Sequence, residues 1–127
     1  MNTSSRRLGN APVLVGPLGL GCWPLAGMTR AGITHEAAVA TVAAAIDAGI
    51  THLDTAYCYG ERGESERAIR EAIRGRRDGV VLAGKCGIHW EPDAAQTPPR
   101  RQCVDGRPER IRAEVEESLE QIGRAHV

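Results

Sequence analysis

Short unbroken apolar runs alternate along the chain with longer stretches in which apolar residues recur every three or four positions. The runs at 13–16 (VLVG) and 18–23 (LGLGCW), broken by glycine and proline, predict a strand or small hairpin and then a first core strand. Residues 24–32 read as a loop. Thr34 is a good helix N-cap, and the stretch after it puts Val39, Val42, Ala43 and Ile46 on one helical face that closes at Gly49. A second strand is expected at Ile50–Asp54. Next come a polar loop, TAYCYGERGE, and a helix over 64–74 with Ala68, Ile69, Ala72 and Ile73 inward. Val80–Ala83 gives a third strand. A long loop is expected from Cys86 to Gly106. Pro108 then opens a last helix with Ile111, Val115, Leu119 and Ile122 in one stripe, ending at Gly123.

Strand and helix alternate three times, at about 30 residues per unit, which predicts parallel strands joined by right-handed crossovers and an α/β class. A doubly wound open sheet and a (β/α)8 barrel compete. Gly19 and Gly21 lack the GxGxxG spacing and lead into Trp23-Pro24 instead of a helix, and no phosphate-loop motif is present. That favours the barrel, of which three of eight units fit.

Composition narrows the class further. The chain has 127 residues, enough for one domain, and its 42% apolar and 25% charged shares are those of an ordinary globular protein. Sixteen basic residues balance sixteen acidic ones, which argues against a nucleic-acid partner. No apolar run approaches the roughly 20 residues that span a bilayer, so no membrane role is expected. Cys22, Cys58, Cys86 and Cys103 form no CxxC pair or Cys/His cluster in sequence, so no metal site is expected. With no apolar core after the two early arginines the amino terminus does not read as a secretory signal, so reduced thiols and a cytoplasmic setting are expected. Oligomeric state is not legible.

One count bears on chemistry: fifteen of the sixteen basic residues are arginine, and Lys85 is the only lysine. A GC-rich genome accounts for most of this bias. Lysine's pKa is nevertheless tunable where arginine's is not. Asp54 ends the second predicted strand, Tyr59 follows five residues later, and Lys85 follows the third strand. Neighbouring parallel strands present their carboxyl ends on one face, so the three could meet there. An ammonium beside a phenol favours the phenolate, and a carboxylate keeps the ammonium charged. Such a trio suits protonation of a carbonyl oxygen while hydride arrives at its carbon. Each residue also has a plain reading: Asp54 as a turn cap, Tyr59 as a packing residue, Lys85 as a solvated charge.

The segments LGLGCWPLAG, GITHLDTAYCYGERGESERAIREAI, VVLAGKC and RPERIRAEVEESLEQIG, in this order and spacing, resemble the amino-terminal part of the aldo-keto reductases. The resemblance covers nearly the whole chain. It implies a TIM (β/α)8 barrel and NADP(H)-dependent reduction of aldehydes or ketones, with small-molecule carbonyls as substrates. It also implies a catalytic Asp–Tyr–Lys–His tetrad, of which Asp54, Tyr59 and Lys85 match three members. Tyr59 would be the general acid, Lys85 would tune it and Asp54 would hold Lys85. Gly21, Cys22 and Trp23, together with Asp54, would lie at the cofactor. Trp23, Tyr57, His89 and Trp90 would shape the substrate pocket. Non-catalytic relatives of the fold, such as potassium-channel β-subunits, offer an alternative regulatory role.

No residue matches the fourth member of the tetrad; His126 falls too soon after Gly123. The resemblance stops where strand four would begin, and a full barrel needs roughly 250 residues. The chain therefore reads as an N-terminal fragment truncated before strand four, without full activity. Its closing residues, IGRAHV, are also the translation of a common sequencing-adapter read, while ESLEQIG continues the family pattern. On the adapter reading, residues 121–127 are a non-native tail.

Overall fold

The computed structural model describes residues 5–123. Its centre is a parallel sheet of three strands in the order β3 (Gly19–Gly21), β4 (His52–Asp54), β5 (Val81–Ala83), preceded by an antiparallel pair, β1 (Arg6–Arg7) and β2 (Leu14–Val15). Helix α1 (His35–Asp47) connects β3 to β4, and α2 (Glu64–Ala72) connects β4 to β5. The expected loop after β5 instead contains an antiparallel hairpin, β6 (Ile88–Pro92) and β7 (Arg100–Val104), before α3 (Pro108–Ile122). Among the described residues no helix is long and apolar enough to cross a membrane.

Local chemistry accounts for the helices. The Thr34 hydroxyl accepts from the Ala37 amide at 3.1 Å, capping α1. Helix α2 is preceded by Gly63 at its N-cap, where φ is +69°, a left-handed conformation that favours glycine. Glu64 and Glu66 then place carboxylates in its first turn, where the helix dipole favours them. Pro108 opens α3 where its missing N–H costs nothing.

The core lies between the sheet and the first two helices. Leu53 and Leu82 from the strands meet Val42 of α1 and Ala68, Ile69 and Ala72 of α2, followed by Ile73. The expected inward face of α2 is buried; on α1 only Val42 of the expected face is fully buried, with Val39, Ala43 and Ile46 half-buried and Ala38 buried beside them. Helix α3 departs from expectation: Ile122 is buried, but Val115 and Leu119 are 39% and 38% exposed, while Glu114 is fully buried. Val115 and Leu119 instead flank an apolar hollow of about 180 Å³ beside Leu82 and Gly84, along the open edge of β5. Gln121 and Ile122, the first two positions of the expected tail, lie within α3, and Ile122 joins the core. Residues 124–127 lie outside the described residues.

Candidate active site

The parallel register sets the site. Gly21, Asp54 and Ala83 stand side by side at the carboxyl ends of their strands. Backbone pairing continues beyond the strands: Cys22 N donates to Asp54 O at 2.8 Å, Thr55 N to Ala83 O at 2.8 Å, and Tyr57 N to Lys85 O at 2.9 Å. The segment after β4 is thus fastened to the segment after β5, and a turn from Ala56 O to Tyr59 N brings the Tyr59 ring back over the strand ends.

There the ammonium of Lys85 has three oxygen partners. Its Nζ donates to Asp54 Oδ1 at 2.6 Å, to the Thr55 carbonyl at 2.9 Å and to the Tyr59 hydroxyl at 3.1 Å. Burial draws the Lys85 pKa down, but the hydrogen bonds and charges of Asp54 and Tyr59 outweigh it and hold the pKa above its ordinary 10.5. The ammonium therefore stays charged at neutral pH. The Trp23 ring meets the Tyr59 ring edge-on, with centroids 5.0 Å apart, and limits where the phenol can point. Trp23, Tyr59, Lys85, Cys86, Ile88 and Gln102 line a cleft of about 240 Å³.

The other sequence-derived positions divide. Nothing lies within 4 Å of where a Gly21 side chain would project, so that strand end faces open space. Cys22 is fully buried, and burial followed by the nearby Asp54 charge pushes its thiol up to about 12. Its backbone belongs to the site's frame, while its side chain belongs to the core. Tyr57, His89 and Trp90 do not line the cleft with Tyr59; they border a second hollow of about 340 Å³. The Tyr57 hydroxyl donates to Glu117 at 2.5 Å, and burial together with that carboxylate pushes its pKa up to about 12, a poor setting for a proton donor. The buried His89 faces Glu91 and Glu114. Trp90 Nε1 donates to the Cys58 carbonyl at 2.9 Å, so it braces the loop that carries Tyr59.

Two supporting residues escaped the sequence reading. Ser65 Oγ donates to the Cys22 carbonyl at 3.2 Å and lies 3.0 Å from Thr55 Oγ1, linking the start of α2 to both strand ends. Glu114 accepts from the Gly87 amide at 2.5 Å and from Arg110 Nε at 2.9 Å, anchoring the loop two residues past Lys85. The closeness of Ser65 and Glu64 to the polar loop was the available sequence signal for the first. A glutamate at a helical i, i+4 distance from Arg110 was the only signal for the second.

The sequence model of the aldo/keto reductase family matches residues 17–127. The chain is 36% identical over 107 residues to aldo-keto reductase YhdN of Bacillus subtilis (strain 168), covering 83% of this chain and 30% of that protein. It is 31% identical over 122 residues to an NADH-specific methylglyoxal reductase of Escherichia coli (strain K12), covering 91% of this chain and 37% of the relative. In structure it resembles an aldo-keto reductase from Klebsiella pneumoniae in complex with NADPH, with a TM-score of 0.66 and 28% identity, covering 96% of this chain and 36% of that one. The chain thus spans about a third of the length of the proteins it matches, and its three βα units form the α/β amino-terminal portion of their barrel. The chain belongs to the aldo/keto reductase family.

Proposed function

We propose that the barrel to which these units belong is an oxidoreductase that reduces aldehyde or ketone carbonyls with NADP(H), and oxidises the corresponding alcohols in reverse. The observation that carries this reading is the Lys85 ammonium, 3.1 Å from the Tyr59 hydroxyl and 2.6 Å from Asp54. A carbonyl oxygen gains negative charge as its carbon accepts hydride and must then be protonated. Tyr59 gives that proton. Lys85 stabilises the phenolate left behind, and Asp54 with the Thr55 carbonyl keeps the ammonium in place. In the alcohol-oxidising direction the same phenolate takes the proton back.

The residues present fit the reacting end of a nicotinamide dinucleotide. The open space before Gly21 lets a flat ring approach the strand ends, and the adjoining cleft of about 240 Å³ suits a small carbonyl compound but not a whole dinucleotide. Gly21 and Trp23 would border that ring. When bound, the dinucleotide supplies the hydride. The NADPH complex of the Klebsiella relative supports NADP(H); the NADH-specific Escherichia relative makes NADH the comparison to run. The 127-residue chain by itself is inactive on this reading, because the remaining barrel units hold the rest of the cofactor.

The test is a chimera in which residues 17–123 replace the matching segment of the Bacillus subtilis relative. It should consume NADPH with an aldehyde panel, and Tyr59→Phe should lower turnover by about 10²–10⁴-fold while leaving NADPH binding intact. A chimera that binds NADPH or NADH yet reduces nothing would sink the enzymatic reading, as would full activity of Tyr59→Phe.

A further inference from the structure

The β6–β7 hairpin brings three unlike donors to one point. His89 stands opposite Cys103 in the strand register, and Glu91 lies two residues further along the same strand, so all three share one face of the hairpin. The two Glu91 oxygens serve different partners: Oε1 lies 3.3 Å from His89 Nε2, and Oε2 accepts from Cys103 Sγ at 3.0 Å. The three donor atoms all fall within 4.8 Å of one another, and no other such group occurs among the described residues.

Both contacts, each to a different Glu91 oxygen, are a little shorter than the spacing a metal ion imposes. A tetrahedral ion with bonds of about 2.0–2.3 Å keeps its nitrogen, oxygen and sulfur ligands about 3.4–3.6 Å apart. Small rotations of Glu91 and Cys103, both partly exposed, would meet that spacing. The histidine is the fixed partner, buried at 7% exposure. Its second nitrogen, Nδ1, lies 3.2 Å from Oε1 of the fully buried Glu114, off the hydrogen-bond axis and with no other partner. Metal-bound histidines commonly turn their second N–H to a carboxylate, which fixes the tautomer that leaves Nε2 free to ligate. The neighbouring cation, Arg101, is a weak competitor for Glu91: its Nη2 is 3.4 Å away, and both side chains are about half exposed.

We propose that His89 Nε2, a Glu91 carboxylate oxygen and the Cys103 sulfur bind a zinc-class divalent cation, with water in the fourth position. A mixed nitrogen, oxygen and thiolate set suits a borderline-soft ion of this kind. Binding forms the metal–sulfur bond and releases the Cys103 thiol proton to water. Ile88 and Gln102 of the same hairpin line the cleft beside Tyr59 and Lys85, so the ion would stiffen one wall of the candidate active site.

The complete 127-residue chain, titrated with Co²⁺ as the probe, should develop a near-ultraviolet thiolate-to-cobalt band that saturates at one equivalent and is displaced by Zn²⁺. Cys103→Ser should abolish the band, and His89→Gln should weaken binding at least about tenfold. A readout that needs no variant is alkylation of each cysteine followed by mass spectrometry: Zn²⁺ should protect Cys103 and leave the exposed Cys86 reactive. No thiolate band in the wild-type chain, a band that survives Cys103→Ser, or a Cys103 alkylation rate unmoved by Zn²⁺ would overturn the proposal.

Discussion

At the scale of single residues, what separates the carboxylates of this chain is their surroundings. Asp54 is half exposed and has a cation at 2.6 Å, so its charge is matched. Glu66 sits in the first turn of α2 at 1% exposure, with Oε2 unpartnered. Burial raises its pKa; the Glu117 charge adds to the rise, and a hydrogen bond with Ser118 opposes it. Folding therefore favours the protonated form. The stability this residue allows is fully present below the ordinary carboxylate pKa and is lost as pH rises through the raised folded value. Glu66→Gln should thus melt higher than wild type at pH 7, by about 3–6 °C for each kcal/mol relieved, with the gap closing near pH 4. Equal melting temperatures at both pH values would contradict this account of Glu66.

At the scale of elements, the loop that carries Lys85 depends on α3. Glu114 is fully buried and holds both the Gly87 amide and Arg110. Glu114→Ala would leave the buried Gly87 amide without an acceptor and the half-buried Arg110 without its carboxylate, so a loss of about 2–4 kcal/mol is expected in urea unfolding, along with faster alkylation of Cys86. A loss under about 0.5 kcal/mol, within the range of ordinary surface changes, would make the contact incidental. The spacing to Arg110 signals only a local ion pair, and the sequence could not show the hold on the Lys85 loop, because the Gly87 amide lies 27 residues away along the chain. The inward face of α2 was legible for the opposite reason: Ala68, Ile69, Ala72 and Ile73 repeat at helical spacing between charged neighbours, and all four are buried in the core shared with α1 and the strands. The same periodicity misled in α3, where Val115 and Leu119 flank an open hollow. The β6–β7 hairpin was hidden because His89, Trp90 and Glu91 do not alternate cleanly in polarity. A structureless connection as long as 86–106 was itself a warning sign. The Asp54, Tyr59 and Lys85 positions were readable because strand ends in register leave few other places for them. Tyr57 carries the same side chain as Tyr59 but turns to Glu117, which no pattern signals.

At the scale of the whole molecule, the sheet has three strands, so β3 and β5 each present an unpaired edge among the described residues. Leu18 is 66% exposed just before β3, and the apolar hollow runs along β5. The 127-residue chain alone is therefore expected to self-associate through these edges with its fold intact, with light scattering that grows with concentration. A chain that stays monomeric at every concentration would count against that. The three strand-end segments must nevertheless assemble for Asp54, Tyr59 and Lys85 to meet, and the sequence offers a direct probe of that meeting. Lys85 is the only lysine, so ¹⁵N-lysine labelling yields a single side-chain ammonium signal in NMR. Its titration should fall above the ordinary 10.5, and Asp54→Asn should lower it. A midpoint at 10.5 that Asp54→Asn leaves unmoved would mean that the ammonium lies free in solvent and the proposed proton donor has no partner.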